Sequence, residues 1–386
     1  MDTYVKPYQV FACSTDPVYI GTGGYTIGRV DNTIVRDPIT RIPKIPGSSV
    51  CGTWRYFMML QLQSYFQDNF NSIKMKIDPD SEEKNVKSLV NRKADKDLGE
   101  NEKSNFGKRK EKFEEYVQKL PGNGVWQKMW GNLISSMNCA GQDELPNESY
   151  EQTEQKSKDK FGHCGHCIVC KTFGFSKQDR SGQGLAAFTD LNILFFPVYT
   201  RLGTRWITSE QILLDAGLIS EKTENLSDEK IAVSERDGQE KYLNLGWLNA
   251  ETQKRNTSLD RSNCNGLDDK DIIIVPDSLI AQIINSNLEV RTSVAIDPNT
   301  GAAKEGALFT SEAIPRATWF YGKVNLFNRP GNDLDVENIF NALKDSKHYY
   351  ETLGIGGMTT RGFGRMKMLL TTENTESTEK KNEIGI

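Results

Sequence analysis

The chain has 386 residues, 37% of them hydrophobic, with a mean hydropathy of −0.56 and a formal net charge of −4. It contains no apolar run of about 18 residues, and its first residues lack the apolar core of a secretion signal, so we expect a cytoplasmic protein with no membrane partner. The weak acidity excludes a uniformly basic nucleic-acid-binding protein, but it allows a local basic surface. Residues 355–368 carry three basic residues and no acid, so they are a candidate for that surface.

The N-terminal part predicts a strand, a long loop and a helix. Loose apolar alternation indicates a strand from Tyr4 to Cys13. After a loop rich in Gly and Pro, apolar residues at helical spacing predict a helix from Ser48 to about Phe66. Ser48 or Ser49 can accept a hydrogen bond from the free N–H groups of the first turn. This predicted helix start is therefore also a candidate anion site.

Three segments differ in composition from the rest. Residues 67–158 are predicted to form a charged, partly helical insertion that includes a packed helix from Val125 to Met137. Residues 219–270 are rich in Asn and Asp and predict a second polar excursion. The tail, residues 371–386, is of low complexity and is predicted to be disordered.

The remaining segments alternate between strands and short helices. Residues 290–315 predict a β-hairpin with a long tip from Asp297 to Gly306. Because there is no regular βαβ repeat, the pattern favours an α+β fold over a doubly wound parallel sheet. The other predicted strands lie within residues 186–198, 272–276, 317–327 and after the last glycine-rich turn, and the short helices within 209–218 and 335–343.

A short segment, residues 161–175, is rich in residues that bind metals. They are His163, Cys164, His166, Cys167 and Cys170. Thiolates at this spacing can converge on one tetrahedral ion, and three Cys with one His is a common structural zinc set. We predict that Cys164, Cys167 and Cys170 bind zinc with His163, while His166 and Cys139 remain alternatives for the fourth ligand. The competing interpretation is three unrelated buried thiols.

Three other features each allow two interpretations. Asp31 lies in a loop before the helix start and can be a reactive acid or an ordinary turn residue. The glycine-rich run with Arg361 and Arg365 can form a tight turn before an edge strand, or it can approach a sugar-phosphate chain closely. The hairpin tip with Lys304 can be an exposed loop or a wedge between bases. His348 and Asp190 are interpreted as structural.

Four stretches appear in one order between residues about 15 and 368. They are VDNTIVRDPITRIPKIPGSSVCGTWR, CKTFGFSKQDRSGQGLAAFTDLNILFFPV, VRTSVAIDPNTGAAKEGALFTSEAIP and LGIGGMTTRGFGRM. Together they resemble the signatures of the RAMP-superfamily backbone subunit of type III CRISPR effector complexes. Residues 67–158 and 219–270 lie outside the resemblance.

The resemblance implies a modified ferredoxin-like, RRM-type core with large insertions. Residues 1–370 would form a single RRM-like domain, and residues 219–310 an insertion that carries a thumb hairpin. The implied partners are guide CRISPR RNA, target RNA, other copies of the chain and other effector subunits. In this family the hairpin displaces a base pair between guide and target at regular intervals.

The resemblance also implies roles for individual residues. Asp31 aligns with the acid that cleaves target RNA together with a divalent cation such as Mg²⁺. Cys51 precedes Gly52 where the family usually has Lys, so one expected phosphate contact is absent. The implied RNA-binding residues are Arg36, Ser48, Ser49, Arg55, Gly356, Gly357, Arg361, Gly362 and Arg365.

Two other functions remain open from the sequence. The chain can be a purely structural RNA-binding subunit in which Asp31 is inert. It can also be an endonuclease that processes precursor guide RNA, a class that commonly relies on a catalytic His. The only histidines are His163, His166 and His348, and two of these are near the predicted zinc ligands.

Overall fold

The computed structural model describes residues 4–23, 30–64, 140, 168–177, 180–224, 226–259, 263–264, 266–329 and 336–372. The predicted insertion 67–158, with its helix at 125–137, lies outside the described residues except for residue 140, and so does the tail from residue 373 onward. The chain divides into two compact units. The first comprises Met1–Pro7, Cys51–Ala187 and Asn325–Lys347, and the second comprises Tyr8–Val50, Phe188–Val324 and His348–Ile386.

The described residues contain fifteen strands and six α-helices. The helices are α1 Gly47–Ser64, α2 Ile168–Phe173, α3 Glu210–Asp215, α4 Asp277–Ser286, α5 Val336–Ser346 and α6 Tyr349–Thr352. The first eight strands are β1 Val5–Ser14, β2 Lys44–Ile45, β3 Phe175–Lys177, β4 Arg180–Gly182, β5 Ala186–Phe188, β6 Leu191–Thr200, β7 Gly203–Thr208 and β8 Lys230–Val233. The others are β9 Tyr242–Leu245, β10 Leu248–Lys254, β11 Ile272–Ile274, β12 Glu289–Ile296, β13 Ala303–Ala313, β14 Trp319–Phe327 and β15 Met366–Thr372.

A large mixed sheet dominates the described fold, in the order β15-β1-β14-β6-β7-β11-β8-β10-β9. Strands β10 and β8 are parallel, as are β11 and β7, whereas β1 with β15 and β6 with β14 are antiparallel. The mixed directions agree with the predicted mixture of strands and helices. The long strand β6 is apolar on both faces, because five of its residues from 193 to 198 are buried.

In the first unit, α1 packs against α5. Trp54 is completely buried, and its indole N–H donates to the carbonyl of Leu343 and the hydroxyl of Ser346, both at 3.2 Å. Because the indole N–H has hydrogen-bond acceptors, burial of Trp54 does not leave this donor unpaired. Phe57 and Met58 are buried on the same helix. The apolar spacing that predicted this helix therefore reflects packing.

The second unit contains elements that the sequence did not predict. The polar stretch 219–270 contributes β8, β9 and β10 to the large sheet. Helix α4 was also missed, although Ile280, Ile283 and Ile284 are buried at helical spacing. Both misses have one cause, since short apolar runs among polar residues give a weak periodic signal.

The predicted hairpin is present, and its strands are longer than the sequence indicated. Strands β12 and β13 pair antiparallel as a separate two-stranded sheet. Their register places Thr292 opposite Thr310 and Val294 opposite Leu308. The turn occupies residues 297–302, because β13 already begins at Ala303.

Candidate nucleic-acid and cleavage site

Asp31 is exposed, and one oxygen of its carboxylate is held by strand β13. Its Oδ2 atom accepts hydrogen bonds from the Thr310 backbone N–H at 2.7 Å and from the Thr310 hydroxyl at 2.9 Å. The Asp31 backbone N–H donates to the same hydroxyl oxygen at 3.1 Å. The side chain of Asp31 is exposed, so the carboxylate is also open to solvent. The carboxylate is therefore fixed in direction and still accessible.

These hydrogen bonds also stabilise the ionised form of Asp31. The backbone N–H of Thr310, followed by its hydroxyl, lowers the pKa of the Asp31 carboxyl below its ordinary value. Donors that bind the ionised form favour it over the neutral form. At neutral pH the group is a carboxylate, which makes it a good cation ligand and a weak proton acceptor.

The residue after Asp31 joins the backbone to the hairpin. Asn32 forms a parallel bridge with Ser311, in which its N–H donates to Thr310 O at 3.0 Å and its carbonyl accepts from Glu312 N–H at 3.0 Å. The Asn32 side-chain amide also donates to the Ser311 hydroxyl at 3.3 Å. The segment that carries Asp31 is thus attached to β13 through backbone as well as side chains.

Arg36, an expected RNA contact, has internal partners. Its Nη2 atom lies 2.7 Å from Glu312 Oε2, and its Nε donates to Asn285 Oδ1 at 2.7 Å. A third bond runs from Nη1 to the carbonyl of Ile34 at 3.0 Å. The guanidinium connects the Asp31 segment to β13 and to helix α4, and three of its five donors are used inside the unit.

The start of helix α1 differs from the predicted serine cap. The helix begins at Gly47, and the acceptor for the Gly47 N–H is the carboxylate of Asp190, at 2.7 Å. Ser48 is exposed and Ser49 half-buried within the first turn. Gly47 is required at this position, because an added Cβ would lie 2.6 Å from the Phe188 carbonyl oxygen. The first turn therefore packs directly against the chain just before β6.

Asp190 belongs to a short chain of charges at this helix start. Lys44 Nζ lies 2.7 Å from Asp190 Oδ2 and 3.0 Å from Asp37 Oδ2. Burial raises the pKa of Asp190, but the bonds from Lys44 and the Gly47 N–H outweigh it and the net pKa is lowered. The two carboxylates raise the pKa of Lys44, Asp190 more than Asp37. A carboxylate thus already occupies one anion position at the positive end of the helix dipole.

Arg55 and Cys51 lie one turn apart on the first-unit part of α1, and both are half-buried. Burial raises the pKa of the Cys51 thiol, although the charge of Arg55 opposes this shift. A neutral thiol cannot replace the Lys that the resemblance led us to expect at residue 51.

The glycine-rich stretch makes close contacts within the protein. An added Cβ at Gly356 would lie 2.3 Å from the Tyr19 carbonyl oxygen, and at Gly364 it would lie 2.2 Å from that of Ile355. Both residues also have positive φ, at 84° and 82°. Gly357 N–H donates to Tyr19 O at 3.0 Å. The need for glycine at these positions is explained by internal backbone packing before the edge strand β15.

Basic side chains surround this glycine-rich turn. Arg361, Arg365 and Lys367 are all exposed, and Arg365 Nε lies 2.6 Å from Asp16 Oδ2. Arg291, on β12 of the hairpin, lies with its Cζ 4.7 Å from the centre of the Phe363 ring and donates to the Gly362 carbonyl at 3.4 Å. The loop and the base of the hairpin therefore share one basic surface.

The outer part of the hairpin exposes apolar side chains. Val294, Ile296 and Leu308 are 43%, 64% and 66% exposed, which is unusual for residues of this size on paired strands. Val294 and Leu308 are cross-strand partners, so their side chains share a face with the Thr292–Thr310 pair. The hairpin thus has an apolar outer face next to Asp31.

The predicted metal sites are only partly within the described residues. Cys170 is buried in α2, whereas His163, Cys164 and Cys167 lie outside the described residues, and so do His166 and Cys139. Among the residues that the structure describes, no three His, Cys, Asp or Glu side chains form a metal-binding group. Asp31 is accordingly not joined by two further described ligands.

The described helices also include none that is long and apolar enough to cross a membrane.

Sequence reasoning missed Thr310, and it interpreted Asp190 as structural without identifying its partner, the Gly47 N–H. Thr310 is 279 residues from Asp31, and Asp190 is 143 residues from Gly47. A weak signal existed for Asp190, since a lone acid between an apolar triplet and a long apolar strand requires a partner. Nothing in the local sequence marks Thr310, because Thr is an ordinary residue of a strand.

Residues 14–367 of the chain match the family model of the RAMP superfamily. The chain therefore belongs to the RAMP superfamily. The matched residues include most of the mixed sheet, the hairpin and the loop that carries Asp31.

Similar proteins include two CRISPR endoribonucleases and a chain of a solved Cmr complex. The CRISPR system Cmr endoribonuclease Cmr4 of Pyrococcus furiosus is 26% identical over 224 residues, which are 52% of this chain and 75% of that protein. The CRISPR system Cms endoribonuclease Csm3 of Methanothermobacter thermautotrophicus is 56% identical over 36 residues, only 9% of this chain and 15% of that protein. A chain of the type III-B Cmr-beta cryo-EM structure in the apo state superposes with a TM-score of 0.50 at 15% identity, covering 96% of this chain and 98% of that one. The last comparison shows a shared fold.

Proposed function

We propose that this chain is a backbone subunit of a type III CRISPR ribonucleoprotein, which binds guide RNA and cleaves complementary target RNA at Asp31. The observation that carries the proposal is the ionised, exposed carboxylate of Asp31, fixed on the hairpin by Thr310. Membership of the RAMP superfamily and similarity to two proteins named as CRISPR endoribonucleases support it. The partners in the proposal are guide RNA, target RNA, further copies of the chain and other effector subunits.

The strand order supports a ferredoxin-like core within the large sheet. Strands β15, β1, β14 and β6 are adjacent in that order. Helix α1 lies between β1 and β6 along the chain, and α5 and α6 lie between β14 and β15. This is the βαββαβ connectivity of a ferredoxin-like unit. In the proposal, β12 and β13 form the thumb hairpin of that core.

The RNA-binding surface in the proposal is the basic turn next to the hairpin. Arg361 and Lys367 are exposed and can pair with phosphates, Arg365 is exposed beside its partner Asp16, and the glycines keep the turn compact. Ser48 and Ser49 lie at the positive end of α1, where further backbone N–H groups favour an anion. Arg36 is assigned a different role, since its guanidinium already has three internal acceptors.

The chemistry requires little from the protein. The ribose 2′-oxygen attacks the adjacent phosphorus and the P–O5′ bond breaks, which leaves a 2′,3′-cyclic phosphate and a 5′-hydroxyl. The proton on the 2′-hydroxyl passes to solvent, and a proton returns to the leaving oxygen. The protein's main contribution is to hold the RNA backbone in line, which can supply much of the barrier reduction.

The residues present fit a divalent cation that RNA helps to bind. Mg²⁺ is typically held by one or two carboxylates together with substrate phosphates and water. The exposed carboxylate of Asp31 would supply one such ligand. When bound, the ion would neutralise the charge that develops on the phosphate. The low pKa of Asp31 favours a role as ligand over one as proton acceptor.

The test uses the complex assembled with guide RNA and a complementary labelled RNA. Asp31→Asn keeps the shape of the side chain and its acceptor for Thr310 but removes the charge. We expect cleavage at regular positions to disappear while target RNA still binds. The matched control is Glu235→Gln, because Glu235 is a surface acid whose side chain is 88% exposed and pairs with Lys254 at 3.2 Å. Unchanged cleavage by Asp31→Asn would leave a purely structural subunit as the function.

A further inference from the structure

We infer that Thr310 is a positioning residue that couples the hairpin to the cleaving carboxylate of Asp31, an inference that rests on the proposed function. Thr310 contacts Asp31 in three ways: its backbone N–H and hydroxyl both bind Oδ2, and its hydroxyl oxygen accepts from the Asp31 N–H. The residue lies on β13, so the direction of the carboxylate depends on the position of that strand. Thr310 therefore acts through Asp31, which it contacts directly.

The geometry favours a positioning role over a general stabilising one. The Asp31 segment is already attached to β13 by the backbone bridge of Asn32 and by the Arg36–Glu312 ion pair. The Thr310 hydroxyl is therefore not needed to keep the segment in place. Its effect is to fix the direction of the carboxylate by adding a second hydrogen bond to Oδ2.

The arrangement has a functional consequence. The apolar outer face of the hairpin begins one residue pair away, at Val294 and Leu308. A base or backbone that moves this hairpin would also move the group that holds Asp31. Cleavage would then depend on correct seating of the hairpin, and a loosely seated target would be bound without being cut.

Thr310→Val tests the inference, because it removes the hydroxyl at constant shape and keeps the backbone N–H. In the assembled complex we expect the single-turnover cleavage rate at saturating target to fall about 10- to 100-fold, the usual effect of losing a group that orients a metal ligand. The affinity for target RNA should stay unchanged. Thr310→Ser, which retains the hydroxyl, should restore the rate.

Thr292→Val is the matched control. Thr292 lies directly opposite Thr310 on β12 and is exposed, whereas the hydrogen bonds to Asp31 come from Thr310. The complex that carries Thr292→Val should cleave target RNA at the same rate as the unmodified complex. Equal losses for Thr292→Val and Thr310→Val, or a Thr310→Ser variant as slow as Thr310→Val, would overturn the positioning role.

The proposed function has a separate readout in the same assay. If Asp31→Asn abolishes cleavage while Thr310→Val cleaves at the normal rate, the positioning inference fails and the proposed function stands. If Asp31→Asn cleaves normally, the proposed function fails, and the inference that rests on it fails too.

Discussion

The guanidinium of Arg36 lies 2.7 Å from the carboxylate of Glu312, and the two side chains are only 24% and 12% exposed. This pair connects the loop that carries Asp31 to the strand that carries Thr310. An arginine that the sequence placed on RNA phosphate is, in the structure, directed to an acid of its own chain. The contact suggests how the candidate cleavage site is kept in register with the hairpin.

Replacing either Arg36 or Glu312 should destabilise the fold, but it should not remove a phosphate contact with RNA. Arg36→Met or Glu312→Met leaves a partly buried charge unpaired, so we expect the free energy of unfolding to fall by about 1–3 kcal/mol. The double variant should lose less than the sum of the two singles. Chemical denaturation of all three checks this. The salt dependence of guide binding should not change in Arg36→Met, and a shallower slope would instead identify Arg36 as a phosphate contact.

Arg361 should behave in the opposite way. It is exposed next to the glycine-rich turn, so Arg361→Gln should leave stability unchanged and weaken guide RNA binding. Loss of one phosphate contact on single-stranded RNA should reduce the log–log salt slope by about 0.7. Arg201→Gln is the control, since Arg201 is a surface arginine paired with Glu240 in the β6–β7 turn. Identical slopes for the two variants would refute the RNA contact.

Asp190 should stabilise the start of α1 in a pH-dependent way. Asp190→Ala removes the acceptor for the Gly47 N–H and should cost about 1 kcal/mol of unfolding free energy at pH 7. Asp190→Asn keeps an acceptor and should cost less. Because the folded pKa of Asp190 is lowered, its contribution is present above the unfolded pKa of about 3.9 and is lost as pH falls through the folded pKa.

Denaturation curves at pH 7 and pH 3 provide the measurement. The difference between the unmodified chain and Asp190→Asn should shrink at the lower pH. Glu235→Ala, at an exposed position, serves as the control and should be nearly neutral at both values. A difference that stays constant with pH would mean that the charge of Asp190 contributes nothing.

The pH dependence of cleavage should report the Thr310 hydrogen bonds. They lower the pKa of Asp31, so the carboxylate remains charged, and cleavage should not decline on its account until the pH is below the ordinary value. Thr310→Val removes one of the two donors to Oδ2, so the acidic limb of its rate–pH profile should move to higher pH. Single-turnover rates from pH 4 upward, measured where the complex stays folded, would show this. An unshifted limb would contradict the assigned cause.

Zinc remains a prediction from the sequence. Cys164, Cys167, Cys170 and His163 should bind one ion per chain, which metal analysis of the purified protein can measure. Cys167→Ser should remove the ion and lower stability, because a structural zinc contributes folding energy directly. Cys13→Ser is the control, since Cys13 lies on β1 and outside the cluster. Purified protein with a zinc content near zero would refute the site.

The amino-acid sequence by itself determined the local features. The helical spacing of Val50, Trp54 and Phe57 predicted α1, and β-prone alternation predicted the hairpin, because these periods depend only on neighbouring residues. Four motifs in order led to the RAMP superfamily and to Asp31. It did not predict α4 or the strands of residues 219–270, whose apolar runs are short and isolated.

Only the tertiary structure decided how the site is held. Thr310 reaches Asp31 from 279 residues away, Asp190 reaches the start of α1 from 143 residues away, and Glu312 takes up the charge of Arg36. Such partners are chosen by strand register and packing, which bring together side chains that carry no mutual signal along the chain. The sequence could therefore name the acid and the helix start, while the groups that orient them became visible only in the fold.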